Sequence, residues 1–429
     1  MPDDARRALS VFPAGISNGE FGLPEDQLVV IERGQGCRLW DAGGGEFLDF
    51  SMGWGSCLVG HARPEIAEAV RMQVGNGSNF AYLNAHALAV AEEIARACPA
   101  VERLRFCASG TEATMYCMRL ARAFRSRRKI LKFEGAYHGA NIAGVTSLFA
   151  SGETAFPQPE LTSAGTPSAA DELLVAPFND IETTRAIVAQ HADALAGVIV
   201  EPLQRCTPPA EGFLEGLRAL CTEHEIPLIF DEVVTGFRLA YGGAQDYYGV
   251  VPDLVAYGKA LGGGYPIGAF AGRRELMEQV NEGRIGQEGY VWMASTLGGN
   301  PVSCAAAEAT LGVLRQPGTY ERLHALGRYL REAVAGILAQ HDLPAQVIGD
   351  GPLAQMIFSP DAISDYRSTK RSDTGLARSV MLGLFERKVF LNPMGTKLYL
   401  SLAHDETDCD VFCDRLDQTL GALAATRAA

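Results

Sequence analysis

Between residues 103 and 272 the chain repeats one pattern. A short apolar run, rich in β-branched and aromatic side chains, ends in a glycine or polar break, and helical stretches fill several of the gaps. The runs fall at 104–108, 129–133, 173–176, 197–201, 227–231, 254–257 and 267–271. Near-continuous apolar runs are strands buried on both faces, and helices between them force a mostly parallel sheet covered on both sides. The expected class is therefore α/β. In such sheets ligands sit outside the carboxyl ends of the strands, so the informative residues are those at which a run turns polar.

Two ends carry the chemistry. Leu228-Ile-Phe-Asp-Glu-Val-Val-Thr-Gly-Phe-Arg238 leaves its strand at Asp231, and Leu254-Val-Ala-Tyr-Gly-Lys-Ala-Leu-Gly-Gly-Gly264 leaves at Lys259. A lysine amine can form a Schiff base with an aldehyde cofactor, and a carboxylate can keep that cofactor's ring nitrogen protonated. At about 3 Å the carboxylate supplies about 5 kcal/mol of gross attraction at an effective dielectric of about 20. A protonated ring is an electron sink, and the freed amine can then carry a proton between carbons. Asp231 could equally cap a helix, and Lys259 could reach for solvent as most lysines do. Together they point to pyridoxal 5'-phosphate.

Other strand ends complete the set. Phe106-Cys-Ala-Ser-Gly-Thr-Glu-Ala-Thr-Met115 runs from strand into helix, where free amides, the helix dipole and Gly110 suit a phosphate. The alternative is an ordinary cap, with Ser109 or Thr111 closing the first turn. Tyr137, with His138 beside it in Lys132-Phe-Glu-Gly-Ala-Tyr-His-Gly139, can stack on a flat ring, and Val233 can press its opposite face. The Gln204 amide is expected to donate to the cofactor's phenolic oxygen. Glu201 at the same strand end has either a structural or a cofactor-side role, and Thr296 offers a hydroxyl and an amide.

Composition narrows the partners. The 429 residues include 37 basic and 51 acidic side chains, a net charge of −14, which disfavours nucleic acid and anionic membrane surfaces. Ten cysteines without a CxxC pair read as small core residues of a reducing compartment, with no metal site. No apolar run reaches membrane-spanning length and the amino terminus shows no signal segment, so the cytoplasm is expected. Neither GxxxxGK[ST] nor a GxGxxG after the first strand is present, so a nucleotide-dependent enzyme is a weak rival.

Domain organisation follows from the same patterns. Residues 1–60 read as an arm and antiparallel hairpins belonging to a small domain, 61–310 as the large cofactor-binding domain, and 311–429 as an α+β carboxyl-terminal small domain. A long helix after Pro301 should join the last two. Residues 140–169, rich in Gly, Ser, Thr, Ala and Pro, read as a long loop of the kind that often forms a lid.

Six motifs in order carry a resemblance: Ser-Gly-Thr-Glu-Ala (109–113), Glu-Gly-x-Tyr-His-Gly (134–139), Glu-Pro (201–202), Phe-Asp-Glu-Val-x-Thr-Gly-Phe-Arg (230–238), Gly-Lys-x-Leu-Gly-Gly-Gly (258–264) and Thr-x-x-Gly-Asn-Pro (296–301). With them the chain resembles the class III pyridoxal-phosphate aminotransferases, nearest the glutamate-1-semialdehyde 2,1-aminomutase branch. The resemblance implies a fold-type-I homodimer with active sites shared at the subunit interface. It implies Lys259 as the Schiff-base lysine, Asp231 at the ring nitrogen, Tyr137 stacking, and Ser109, Gly110 and Thr111 on the phosphate. Thr296 would reach the phosphate of the partner subunit's cofactor. Two departures bear on the substrate. Phe21 stands where the aminomutase branch has a carboxylate-binding arginine, and Cys206 where it has an asparagine. An aminotransferase is therefore expected, moving an amino group from an amine or amino acid to a keto or aldehyde acceptor, with Phe21 and Trp54 shaping a partly apolar pocket. An aminomutase or racemase is the runner-up, and a non-catalytic homologue a distant third.

Overall fold

The computed structural model describes residues 3–19, 23–391 and 395–428. The chain forms two compact units: Glu65–Tyr320 with Ile363–Lys370, and Met1–Pro64 with Glu321–Ala362 and Arg371–Ala429.

The smaller unit begins with β1 (Ile31–Gln35), β2 (Arg38–Asp41) and β3 (Glu46–Asp49), paired antiparallel in sequence. Asp41 closes the β2–β3 turn, its Oδ1 accepting from the amides of Gly43 (2.9 Å) and Gly45 (2.7 Å), a turn chemistry that short acidic side chains favour.

In the larger unit, β4 (Arg103–Cys107), β5 (Lys129–Phe133), β6 (Leu173–Ala176), β7 (Leu195–Val200), β8 (Leu228–Asp231), β9 (Leu254–Tyr257) and β10 (Gly268–Gly272) form one sheet in the order β4-β10-β9-β8-β7-β5-β6. Every expected strand is present. β10 runs antiparallel to β4 and β9, and the remaining pairs are parallel. Alternate residues serve two faces. Ile130, Ile229, Leu254 and Ala256 pack with the buried side of the helix Gly110–Arg125, whereas Phe133 meets Phe213 of the helix Phe213–Glu223 edge-on at 5.6 Å. Both faces are thus covered, which is why the inner strands β7, β8 and β9 carry no polar alternation, whereas the edge strand β4 keeps Arg103 and Arg105.

The smaller unit is completed by β11 (Gln346–Ile348), β12 (Leu353–Ile357), β13 (Val389–Phe390) and β14 (Lys397–Tyr399). β13 joins β3 in parallel, and β11-β12-β14 form a separate antiparallel sheet.

Three expectations are corrected. The helix after Pro301 is two helices, Pro301–Leu314 and Thr319–Gln340. Pro317-Gly318 separates them, because proline cannot continue the first and Gly318, at φ 81°, turns the chain. The first helix and the following turn therefore stay with the larger unit. The carboxyl-terminal third is also not continuous, since Ile363–Lys370 belongs to the larger unit. There Arg367 forks onto the buried Glu134 carboxylate at 2.8 and 3.0 Å, and the Tyr366 hydroxyl donates to the Ala150 carbonyl at 2.9 Å. Finally, residues 140–169 do not hang free as a lid. They contain the short helix Ile142–Val145 and lead into Ala169–Glu172, Ser147 and Glu160 bond reciprocally, and Arg367 holds the Thr154 carbonyl.

Replacing Arg367 with alanine strands a buried carboxylate and releases this loop. Breaking a fully buried pair costs about 3–5 kcal/mol; with Arg367 partly exposed, about 2 kcal/mol is expected. Limited proteolysis should show accelerated cleavage within 150–160, and Arg367→Lys, which loses the fork but keeps the charge, should fall between.

Candidate active site

The parallel register delivers the acid and the lysine to one edge. Asp231 pairs with Ala256 across β8 and β9, and Lys259 lies three residues further along at the start of a 3-10 turn (Lys259–Gly262). Lys259 has φ 43°, a backbone region costly for a non-glycine residue and found where surrounding structure enforces it. Its amine is enclosed, and burial lowers its pKa from 10.5 to about 8, with Asp231 opposing the shift and Arg238 assisting it. Among the described residues its side chain makes no hydrogen bond.

Asp231 is held from two sides. Its Oδ2 meets His138 Nδ1 at 2.8 Å, and its Oδ1 accepts the Val233 amide at 3.1 Å. His138 is fully buried, its carbonyl accepts from Thr114 Oγ1 and Asn141 Nδ2, and its Nε2 has no partner among the described residues. The neighbouring Glu232 is spent elsewhere, accepting from the amides of Ala244 and Gln245 and from the Gln245 side chain. Burial raises its pKa to about 7. Of two adjacent acids, only Asp231 faces the strand-end cluster.

The turn Ser109-Gly110-Thr111 opens the helix Gly110–Arg125. Ser109 Oγ accepts the Glu112 amide, so its capping role is real, while the amides of Gly110 and Thr111 precede the first helical bond, Ala113 N to Ser109 O. Gly110 is required here. A Cβ would come within 2.7 Å of Val233 Cγ1, and the Gly110 backbone also lies against Gly258, immediately before Lys259. Thr111 Oγ1 accepts the Ala140 amide, and burial raises the Tyr137 phenol's pKa while the Thr111 side chain opposes the shift. Ser109, Gly110, Thr111, Tyr137, His138, Asp231, Val233 and Lys259 thus form one connected cluster.

Glu201 shows the structural one of its two expected roles, and Gln204 differs from expectation. Glu201 accepts the Tyr137 amide with one oxygen (2.8 Å) and the Arg205 amide with the other (3.1 Å), which makes it a brace between two turns. Gln204 Nε2, the anticipated donor, is taken by the Glu134 carbonyl at 2.7 Å; the buried atom left without a partner among the described residues is the acceptor Oε1. Both roles depend on where the 134–138 turn passes, which no strand-end motif reveals. Thr296 is exposed, on a segment tied to the helix start by Ser295 Oγ and Glu112 (3.0 Å). Trp54 is held in the smaller unit, where Gly19 lies against its indole. Phe21 lies outside the described residues.

One contributor was missed. Lys132 is fully buried in β5, and its amine donates to the carbonyls of Ala136 (3.1 Å), Ala143 (2.9 Å), Gly144 (3.3 Å) and Thr146 (2.6 Å). It gathers the loop that presents Tyr137 and His138. The available signal was a lysine inside an apolar strand, a position where charge is tolerated only with partners.

The sequence matches the class-III aminotransferase family model over residues 23–420. The chain belongs to that family. It is 38% identical over 423 residues to a glutamate-1-semialdehyde 2,1-aminomutase of Thermomicrobium roseum, covering 97% of each, and 37% identical to one of Desulfitobacterium hafniense, again covering 97% of each. In structure it is similar to an omega-transaminase from Sphaerobacter thermophilus (TM-score 0.91, 34% identity, 98% of this chain and 96% of that one). It is also similar to a β-phenylalanine aminotransferase from Variovorax paradoxus (TM-score 0.87, 29% identity, 98% and 93%). This class-III aminotransferase has the fold-type-I architecture, and its reaction moves an amino group between an amine or amino acid and a carbonyl acceptor.

The lowered pKa of Lys259 sets a pH dependence. An exposed lysine becomes neutral only near 10.5, whereas the buried amine is the free base above about 8. Acylation of Lys259, followed by peptide mass spectrometry between about pH 6 and 11, should rise with a midpoint near 8. A midpoint close to that of the surface lysines would contradict the enclosure described here.

Proposed function

We propose that the chain is a pyridoxal-phosphate-dependent transaminase whose cofactor is held by the cluster at the carboxyl ends of β4, β5, β8 and β9. The observation that carries this is an enclosed, unbonded lysine amine beside a carboxylate oriented by a buried histidine, over a glycine-opened helix start. The residues fit the group. The Gly110 and Thr111 amides suit its phosphate, Tyr137 and Val233 its ring faces, and Asp231 its ring nitrogen. The unpartnered Nε2 of His138 and Oε1 of Gln204 leave polar capacity that a polar guest can use.

When bound, pyridoxal phosphate supplies an aldehyde that condenses with amines and a ring that accepts the electron pair released at the substrate carbon. The protein's own part is positional and protonic. Lys259 would hold the cofactor covalently and, once displaced by the donor amine, move a proton as a neutral base. Asp231 would keep the ring nitrogen protonated, and the His138 contact fixes the direction in which its carboxylate points. Cys206, fully buried, brings no amide to the site, which favours transamination over the aminomutase pattern.

Adding an amine or amino acid to the purified protein should discharge the absorbance of the bound aldehyde, and a keto acid or aldehyde should restore it. Lys259→Ala should reduce turnover by about 10²–10⁴-fold or more. Steady turnover of one substrate without any acceptor would instead establish an aminomutase.

We further propose a homodimer in a reducing, cytoplasmic compartment, the latter supported by ten free, buried cysteines. Phe80, Tyr82 and Leu83 are exposed on one segment, and Trp292 and Leu297 on another, with Tyr82 85% and Trp292 64% accessible. Asn79 and Asn84 tie the two segments together through the carbonyls of Thr296 and Gly299. An apolar patch of this kind, beside Thr296, supports a subunit interface at the site. The double variant Leu83→Glu/Leu297→Glu should elute as a monomer in size-exclusion chromatography with light scattering, and should lose activity with the dimer.

A further inference from the structure

The turn after β7 holds a cation that the cofactor cluster does not use. Gln204 and Thr207 close it, with the Thr207 amide donating to the Gln204 carbonyl at 2.8 Å, and Arg205 stands at its corner. Arg205 has φ 61°, a conformation that favours glycine, yet the chain keeps its largest cationic side chain there. The turn is braced against the catalytic loop on both sides. Glu201 holds the amides of Arg205 and Tyr137 with its two oxygens, and Gln204 Nε2 holds the Glu134 carbonyl. Arg205 is therefore anchored beside Tyr137 by its backbone.

Its guanidinium is half-buried and, among the described residues, has no hydrogen-bond or ion-pair partner. Its charge is nonetheless felt inside the site, at the amines of Lys259 and Lys132 and at the phenols of Tyr137 and Tyr366. The nearby acids are committed. Asp231 is bonded to His138 and the Val233 amide, Glu201 to two backbone amides, and Glu134 to Arg367. A partly desolvated guanidinium without a carboxylate calls for an anion from outside the chain. The cofactor's phosphate is the competing anion, because the loop that carries Tyr137 also reaches Thr111 through the Ala140 amide. The two are told apart by whether cofactor retention or donor discrimination depends on Arg205.

We propose that Arg205 receives the carboxylate of the amino donor, and of the keto acid that replaces it, so that the physiological substrates are amino acids rather than simple amines. This rests on the transaminase reading above. The guanidinium fork matches a carboxylate in two parallel hydrogen bonds, which also fixes how the amino carbon faces Lys259.

The test uses the holoenzyme with two donors that differ only in this group: 3-amino-3-phenylpropanoate and 1-phenylethylamine. Arg205→Gly removes the charge while suiting the backbone, and Arg205→Lys keeps a cation without the fork. The ratio of kcat/KM for the acid over the amine should fall about ten- to a hundredfold in Arg205→Gly, mainly through KM, and recover in part in Arg205→Lys. Butanoate should inhibit the wild type competitively against the acid and should weaken in parallel in Arg205→Gly. Equal losses on both donors, an unchanged ratio, or a wild type that accepts only the amine would each overturn the assignment. Loss of bound cofactor without a change in the ratio would give Arg205 to the cofactor instead, and would also overturn it. If the wild type discharges its cofactor with neither donor nor any other amine, the transaminase reading itself has failed, which is a separate result.

Discussion

The parallel pairing of β8 with β9 fixes everything that can happen at this site. Neighbouring strands lie about 4.8 Å apart, so the register that sets Asp231 opposite Ala256 also sets how far the lysine three residues on can be from that carboxylate. A slip of one residue would turn Asp231 to the other face of the sheet. The buried alternation of Ile229 and Phe230, each committed to a different face, prevents it. Catalytic geometry is here a consequence of core packing.

The second layer is a set of braces that convert loops into fixed surfaces. Backbone groups at the ends of parallel strands must find partners, and in this chain charged side chains supply them. Glu201 joins two turns through their amides, Lys132 collects four carbonyls, and Arg367 comes from a distant part of the chain to neutralise Glu134. The segment 134–147 therefore behaves as an extension of β5, although it contains little regular structure. This rigidity is what allows Tyr137 and His138 to be aimed without a strand or long helix beneath them.

What could be read in the sequence follows from which of these layers writes a local pattern. The seven strands of the large sheet were legible because burial on both faces leaves long apolar runs, and Asp231 and Lys259 because a polar residue ends each run abruptly. The turn at Ser109-Gly110-Thr111 was legible because helix starts have their own chemistry. The braces were not, because a glutamate bonded to amides and one facing a ligand look alike along the chain. Gln204 illustrates the limit. Its type and position suited a donor to the cofactor, but the carbonyl that takes its Nε2 comes from Glu134, far away in sequence. The single helix expected after Pro301 is divided at Pro317-Gly318, a pair whose turn chemistry stands in the sequence and was not used.

The two buried lysines show what separates a structural group from a reactive one. Burial pushes both amines down, Lys132 to about 7 and Lys259 to about 8, so a depressed pKa does not distinguish them. Lys132 is surrounded by four acceptors and sits within a strand whose loop it closes; moving it would leave those carbonyls unpaired. Lys259 lies just past its strand, in a strained backbone conformation, with no hydrogen bond among the described residues. The same contrast separates Glu232, saturated by amide donors, from Asp231, which keeps its orientation through one histidine and one amide. Reactivity here belongs to the groups that the fold buries without satisfying. Their neighbours Lys132 and Glu232, more deeply buried and fully bonded, hold them in that state.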